Sequence, residues 1–154
     1  MIDVVEGTPE DIPQCMLIAE SLPQYFTSKA LDTMKRDFVT NPFQVAKDES
    51  GHVLGFASFR KNTEQAAELE WLAVAGGHRR SGVGTVIVEA TCNALKAKGF
   101  KLLLAKTLSN RSPYIPYEAS RKFLQKAGFI HTDTLDQYPG WDPGNPCDIY
   151  IRIL

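Results

Sequence analysis

Two carboxylates and a basic, glycine-rich turn are the parts of this sequence whose residue types and spacing suit chemistry. Glu68 and Glu70 lie two positions apart in the segment ELEWLAV. Its alternation of Glu with apolar residues predicts a strand, so both carboxylates should point to the same face. Such a pair can accept protons or bind a cationic group. The alternative is a solvated face on which both are surface groups.

The glycine-rich turn, residues 76–84 with the sequence GGHRRSGVG, precedes an amphipathic helix. At a helix N-terminus several backbone N–H groups lack an intrahelical partner and the macrodipole is positive, so anions bind there. Gly82 and Gly84 would let the backbone approach a phosphate closely, and Arg79 and Arg80 would add positive charge. The turn therefore predicts a pyrophosphate site, in which His78 is expected to be a solvated loop residue.

Composition and charge exclude several other classes of protein. The 154 residues are 44% hydrophobic and 23% charged, which suits a globular domain rather than a disordered chain. A net charge of −1 provides no bulk attraction to nucleic acid or to an anionic membrane. No apolar run approaches ~18 residues, so no membrane segment is expected. Three cysteines without CxxC spacing match neither a disulfide framework nor a zinc site, and they indicate a reducing, cytoplasmic compartment.

Hydrophobic periodicity, with proline and glycine at the boundaries, predicts seven strands and four helices around these residues. The expected strands are residues 2–6, 43–47, 52–61, 67–74, 101–107, 129–134 and 148–154. The expected helices run from a cap at Thr8 to about Ser21, and over residues 28–38, 83–98 and 117–127. No linker or repeat divides the chain, so one domain over residues 1–154 is predicted. The alternating last strand could pair across a homodimer if it lies at a sheet edge.

This order of elements, with the phosphate loop between the fourth strand and the third helix, resembles the GNAT superfamily of acyl-CoA-dependent N-acetyltransferases. The family's pyrophosphate signature is Arg or Gln, two residues, Gly, one residue, then Gly or Ala, and residues 79–84, RRSGVG, match it. The segment FLQKAGF is similar to the usual end of the family's next helix. The resemblance implies an α/β (α+β) fold, with a mixed, mostly antiparallel sheet of about seven strands flanked by about four helices.

The resemblance also implies acetyl-CoA as cosubstrate. In the family, the strand before the loop splays from its neighbour and the acyl-pantetheine arm inserts between them. The backbone of Leu72 and Val74 would then lie along this arm, and the N–H near Leu72 would stabilise the tetrahedral oxyanion. The residues implied to bind the cofactor are Leu72, Ala73, Val74, Arg79, Arg80, Ser81, Gly82, Val83, Gly84 and Thr85.

Direct transfer to a primary amine in a ternary complex calls for a base at the amine and a proton for the departing thiolate. Glu68 lies where some family members have a general-base glutamate, and Glu70 lies at a neighbouring position that others fill with a polar group. The family's usual acid, a tyrosine, is replaced here by Leu124. Tyr117 or Tyr114 is the candidate donor; the alternatives are cofactor contact by Tyr117, packing by both, or departure of the thiolate without an acid.

The acceptor and even the activity stay open at this level. Tyr25 and Phe26, with Trp141, could line an apolar acceptor site or pack in the core. Because Leu124 replaces the usual acid, the alternative to an enzyme is a non-catalytic acyl-CoA-binding sensor or partner-binding module. The acceptor is expected to be a small-molecule or peptide amine. Neither charge nor motif selects among amino acids, polyamines, antibiotics, peptide N-termini and protein lysines.

Overall fold

The computed structural model describes residues 1–79 and 81–154, so the predicted phosphate-binding residue Arg80 lies outside the described residues. Within them, seven strands and four α-helices follow one another in the predicted order. They are β1 (Asp3–Glu6), α1 (Ile12–Glu20), α2 (Ser28–Thr40), β2 (Phe43–Lys47), β3 (Val53–Lys61), β4 (Ala66–Val74), α3 (Val83–Ala97), β5 (Leu102–Leu108), α4 (Tyr117–Lys126), β6 (Ile130–Leu135) and β7 (Cys147–Ile153). No helix in this part of the chain is long and apolar enough to cross a bilayer.

The strands form one seven-stranded sheet in the order β1-β2-β3-β4-β5-β7-β6. Neighbouring strands are antiparallel except β4 and β5, which are parallel. This arrangement confirms the predicted mixed, mostly antiparallel sheet. The last strand was expected to pair across a dimer only if it lies at a sheet edge. Strand β7 is not at an edge, so this condition is not met. Cys147 on β7 faces Leu108 of β5 on one side and Leu135 of β6 on the other, so β7 is paired along both sides.

Helices cover both faces of the sheet. On one face α3 and α4 pack against the strands through a core that includes Ile87, Leu95 and Leu124. On the other face α1 and α2 pack through a second core that includes Met34 and Phe38. Met34 and Phe38 are four residues apart and Ile87 and Leu95 are eight apart, so each pair lies on one side of its helix, because the α-helix repeats every 3.6 residues.

Helix α1 begins later than the cap at Thr8 predicted. Residues Pro9–Asp11 form one 3₁₀ turn before α1 starts at Ile12. The Asp11 carboxylate accepts a hydrogen bond from the Thr8 N–H at 2.9 Å, which closes this turn. The residues that predicted the helix start therefore do begin a helical segment, but its first turn is a tighter 3₁₀ turn.

Strand β4 is irregular on the side of β3. Phe59 pairs with Leu69 and Ser58 pairs with Trp71, so Glu70 is the extra residue of a β-bulge. A bulge re-aims the side chains around it and raises the local twist. The bulge therefore sets the direction of a predicted functional carboxylate.

Strand β4 also separates from β5. Their parallel ladder ends at the pair Leu69 and Ala105, although β4 continues to Val74 and β5 to Leu108. The two central strands thus leave an opening beyond Leu69, on the side from which the chain enters the phosphate loop. We call this gap the β4–β5 opening.

Candidate active site

The main chain of β4 faces the β4–β5 opening at two residues. The N–H of Ala75 donates to the carbonyl of Leu54 at 2.8 Å, towards β3. Main-chain groups alternate in direction along an antiparallel strand, so those of Ala73 also face β3. Those of Leu72 and Val74 point the other way, into the opening. A ligand in the opening can therefore pair with the main chain at these two positions.

The phosphate loop lies at the end of the opening. A 3₁₀ turn, Gly76–His78, leads out of β4, and Gly82 is the N-cap of α3 with φ of 86°. This left-handed conformation favours glycine. The first backbone N–H groups of α3, at Val83, Gly84 and Thr85, have no acceptor within the helix, so they are available to an anion.

Glycine is needed at position 84 for close packing, whereas Gly82 is needed for its backbone conformation. A Cβ built at Gly84 would lie 3.1 Å from Phe123 of α4 and 3.6 Å from Val74 of β4. A contact of 3.1 Å is tighter than ordinary van der Waals packing, so glycine allows α3, α4 and β4 to meet closely here. The close approach brings α4 to the border of the opening.

The buried hydroxyl of Thr107 bears on whether this site fits an extended ligand arm that carries amide groups. Thr107 of β5 lies on the same face as Leu103 and Ala105, is 5% exposed, and has no hydrogen-bond partner for Oγ1 among the described residues. Buried polar groups are nearly always paired, so such a hydroxyl is unusual. It belongs to the strand that borders the opening. The amides of the pantetheine arm would supply a partner, so the residues present fit the expected cofactor.

Glu68 is buried rather than solvated. Its side chain accepts hydrogen bonds from Asn62 Nδ2 at 2.9 Å and Lys106 Nζ at 3.0 Å, and Arg60 Nη2 lies 3.5 Å away. The residue is only 6% exposed. Two cations therefore neutralise this carboxylate inside the protein.

Glu70 lies beside the same arginine but in a different environment. Arg60 Nε lies 3.1 Å from Oε1, and Asn41 Nδ2 donates to Oε2 at 2.9 Å. Burial raises the pKa of Glu70 above its usual value, the nearby charge of Asp37 raises it further, and Arg60 opposes the shift. Asp37 in turn accepts a 2.7 Å hydrogen bond from the indole N–H of Trp71. The Glu70 carboxylate therefore binds a proton more readily than an ordinary glutamate does.

Lys106 and its partner Tyr138 were missed by sequence reasoning. Besides Glu68, the Lys106 ammonium contacts the Tyr138 hydroxyl. Burial alone would lower the pKa of Lys106, but the hydrogen bonds to Tyr138 and Glu68 outweigh it and raise the pKa. One signal was present: Lys106 is the single charged residue inside the apolar strand LLLAKTL. A charge in such a strand needs a buried partner, and Glu68 is that partner.

Two of the predicted acceptor aromatics lie against side chains that neighbour the charged groups. The Phe26 ring is 6.1 Å from that of Trp71, which follows Glu70 in the sequence. The Trp141 ring is 5.6 Å from that of Tyr138, the partner of Lys106. Each ring therefore contacts a neighbour of the charged groups, and Tyr25 and Phe26 also pack against the core of α1 and α2, as the core-packing alternative predicts.

The two candidate tyrosine acids donate their hydroxyls to the loop between α1 and α2. Tyr117 Oη donates to the Tyr25 carbonyl at 2.7 Å, and Tyr114 Oη donates to the Gln24 carbonyl. Burial, with the neighbouring tyrosines, raises the pKa of Tyr117 to about 12. Leu124, at the position of the family's usual acid, is packed in the core beneath α4 at 6% exposure.

Within the described residues, no group of three or more His, Cys, Asp or Glu side chains is arranged to hold a metal ion. The arrangement is instead that of a strand opening, a helix start and a set of carboxylates. These parts can hold an extended anionic ligand and accept a proton beside it.

Comparison with known proteins identifies the family. Residues 13–129 match the model of the acetyltransferase (GNAT) family, and a search of curated proteins found no match. Among solved structures, the chain is similar to a GNAT-family protein from Desulfovibrio desulfuricans, with 22% identity, a TM-score of 0.84 and 99% of each chain covered. It is also similar to Ard1 from Thermoplasma volcanium, with 23% identity, a TM-score of 0.78 and 99% and 97% covered.

A third similar structure contains a ligand. It is a GNAT-family acetyltransferase from Elizabethkingia anophelis with acetyl-CoA bound, with 19% identity, a TM-score of 0.73 and coverage of 99% of this chain and 98% of that chain. At these identities the solved structures show the shared fold. The family model matches most of the chain, so this match establishes the family. The chain therefore belongs to the GNAT acetyltransferase family.

Proposed function

We propose that the protein is an N-acetyltransferase that transfers the acetyl group of acetyl-CoA to a primary amine by direct attack in a ternary complex. The observation that carries this proposal is the β4–β5 opening. Its border presents main-chain groups of Leu72 and Val74, and it ends at the glycine-rich start of α3. Coenzyme A combines an arm of amides with a pyrophosphate, so it matches both parts.

We assign the cofactor contacts as follows. The main chain of Leu72 and Val74 would pair with the arm, and the N–H of Leu72 would donate to the acetyl oxygen as it gains charge. The pyrophosphate would lie against the start of α3 and the side chain of Arg79. The further residues proposed at this end are Arg80, Ser81, Gly82, Val83, Gly84 and Thr85. Ala73 directs its main chain to β3, so we propose no direct contact from it.

We assign the amine to Glu70. A general base works best when its pKa lies near the working pH, and Glu70 has the raised pKa. It would take a proton from the ammonium form of the acceptor, directly or through a water molecule. Glu68 is already paired with Lys106, so its proposed role is to fix the charged groups around Glu70.

We propose that the thiolate leaves without a side-chain acid. The Tyr117 hydroxyl donates to Tyr25, and Leu124 has no proton to give. A thiol has a pKa of about 8.5, so its anion is a stable leaving group near neutral pH. The chain can therefore carry out transfer with a base alone.

We also propose a cytoplasmic location and an acceptor that is a small-molecule or peptide amine, with no nucleic acid and no membrane as partner. Cys15, Cys92 and Cys147 are all free and buried, which suits a reducing compartment. Acetyl-CoA is the cosubstrate, and the net charge of −1 gives nucleic acid no electrostatic advantage.

The second candidate function is a non-catalytic acyl-CoA-binding sensor or partner-binding module. It is favoured by one observation, the burial of Leu124 where the family usually has its acid. Binding and fold alone do not establish activity.

The test is incubation of the purified protein with acetyl-CoA and a panel of amines, with free thiol as the readout. Release of thiol that depends on the acceptor is the expected result and supports the enzyme. Tight binding without release across a broad panel supports the sensor. Absence of binding would contradict both.

A further inference from the structure

We propose that Tyr25 is a positioning residue for the cofactor: it holds the Arg79 guanidinium at the phosphate loop. Arg79 Nη2 donates to Tyr25 Oη at 3.2 Å, and the guanidinium carbon lies 5.0 Å from the centre of the Tyr25 ring. The tyrosine therefore offers both a hydrogen-bond acceptor and a cation–π face. This inference rests on the proposed function, in which Arg79 meets the pyrophosphate.

Tyr25 is itself fixed from two directions. Its hydroxyl donates to the Pro116 carbonyl at 3.1 Å, and its carbonyl accepts from Tyr117 Oη at 2.7 Å. The rings of Tyr25 and Tyr117 also meet edge to face at 5.3 Å. The loop that carries Tyr25 is thus fastened to the start of α4, so the ring is a fixed support rather than a mobile side chain.

A fixed support matters for Arg79 because the side chain is exposed and long. Ordering a free arginine has a large cost in rotamer entropy. Stacking on Tyr25 removes part of this cost before the anion arrives. The hydrogen bond to Tyr25 engages one of the five N–H donors of the guanidinium, so the group can still donate to phosphate oxygens.

The same contacts give Tyr117 a role that its sequence position did not reveal. Because burial keeps its pKa high, the hydroxyl stays protonated and continues to donate to Tyr25. Tyr117 thereby supports Tyr25, and Tyr25 supports Arg79. This chain of contacts joins the start of α4, the α1–α2 loop and the phosphate loop.

The experiment is a double-mutant cycle between residues 25 and 79, read as the Kd of coenzyme A by titration calorimetry. Tyr25→Phe keeps the ring and removes the hydroxyl, and we expect it to weaken binding about 3- to 10-fold. Arg79→Gln should weaken binding by at least as much. In the Arg79→Gln background, Tyr25→Phe should have no further effect, because Tyr25 acts through Arg79.

The matched control is Tyr114→Phe, which removes another hydroxyl that fastens the same loop but bonds Gln24 rather than Arg79. It should leave the Kd of coenzyme A unchanged. If Tyr114→Phe weakens binding as much as Tyr25→Phe does, the effect belongs to the loop as a whole and the proposal is wrong. The melting temperature of each variant is measured to check that it is folded.

A further variant guards against an ambiguous result. Arg79→Lys keeps the charge but loses the planar fork, so it should bind coenzyme A more weakly than the wild type. If Arg79→Gln weakens binding and Tyr25→Phe does not, the positioning role is overturned while the cofactor site stands. If Arg79→Gln leaves the Kd unchanged, the proposed phosphate site fails, and the role of Tyr25 fails with it.

Discussion

Glu68 and Glu70 belong to one cluster of charges that is not balanced. With Asp37 the cluster has three carboxylates, and among the described residues Arg60 and Lys106 are the cations that contact it. One negative charge is therefore in excess among these five side chains. An acceptor that arrives as an ammonium would balance it, which agrees with the proposed amine substrate.

Replacement of Glu70 by Gln tests the proposed base. We expect kcat to fall on the order of 10²-fold, which is typical for loss of a general base, while the Kd of acetyl-CoA stays the same. The wild-type rate should fall as the pH drops through the pKa of Glu70, because the protonated carboxyl cannot accept a proton. Since that pKa is raised, this acidic limb should lie above the ordinary value of 4.5. The variant should lack it.

The same substitution should lower the rate without lowering the stability of the fold. A carboxyl whose pKa is higher in the folded state than in the unfolded state loses stability as the pH rises through that window. Glu70→Gln should therefore not lower the melting temperature at neutral pH.

Glu64→Gln, at an exposed carboxylate that pairs with Lys61, is the control and should leave the pH profile intact. An unchanged acidic limb in Glu70→Gln would remove Glu70 as the base.

The sequence predicted the direction of the two glutamates but not their surroundings. Alternation along ELEWLAV is a local property, and both side chains do contact Arg60. Burial depends on Lys106 and Asn41, which lie far away in the sequence, and on the bulge at Glu70. No periodicity within the strand reports such partners, so the sequence alone does not distinguish a buried from a solvated position for these carboxylates.

At the level of elements, the two glycines of the phosphate loop perform separate tasks. Gly82 adopts a left-handed conformation at the start of α3, and nothing lies within 4 Å of a Cβ built on it. Gly84 instead makes room for Phe123. The spacing of glycines in the motif thus combines a backbone requirement with a packing requirement.

Replacement of Gly82 by Ala should strain the start of α3 without any clash. A non-glycine residue in the left-handed region costs about 1 kcal/mol or more, and the local N–H groups would turn away from the anion. We expect a lower melting temperature and a weaker Kd for coenzyme A. Gly77→Ala is the control, because Gly77 has open space and no left-handed conformation. Equal effects of the two substitutions would contradict this explanation.

The boundaries of α3 were predictable because their signals are local. Helix α3 was expected over residues 83–98 and spans Val83–Ala97, with Gly99 at φ of 92° after its end. The place of β7 in the sheet was not predictable in this way. Strand order depends on the path of the residues between β6 and β7 and on pairing with β5, which lies about 40 residues earlier in the sequence.

At the level of the whole molecule, the two cores on opposite faces of the sheet share strands β2, β3 and β4. The contacts of Tyr25 with Tyr117 and Pro116 add a link between the α1–α2 loop and the start of α4. We therefore propose that residues 1–154 form one domain. Because these strands contribute to both cores, we expect the two cores to unfold together.

Thermal unfolding with and without acetyl-CoA tests this proposal and the cofactor site together. One domain should show one transition, with equal calorimetric and van't Hoff enthalpies. A ligand that binds only the folded state at 100 times its Kd adds about 2.7 kcal/mol to the free energy of unfolding. For a chain of this size, that corresponds to an increase in melting temperature of about 5–11 °C.

The Gly82→Ala variant should show a smaller increase at the same ligand concentration. Two separate transitions would contradict the single domain, and no increase at about 1 mM acetyl-CoA would contradict the cofactor site, because tight binding to the folded state must raise its stability.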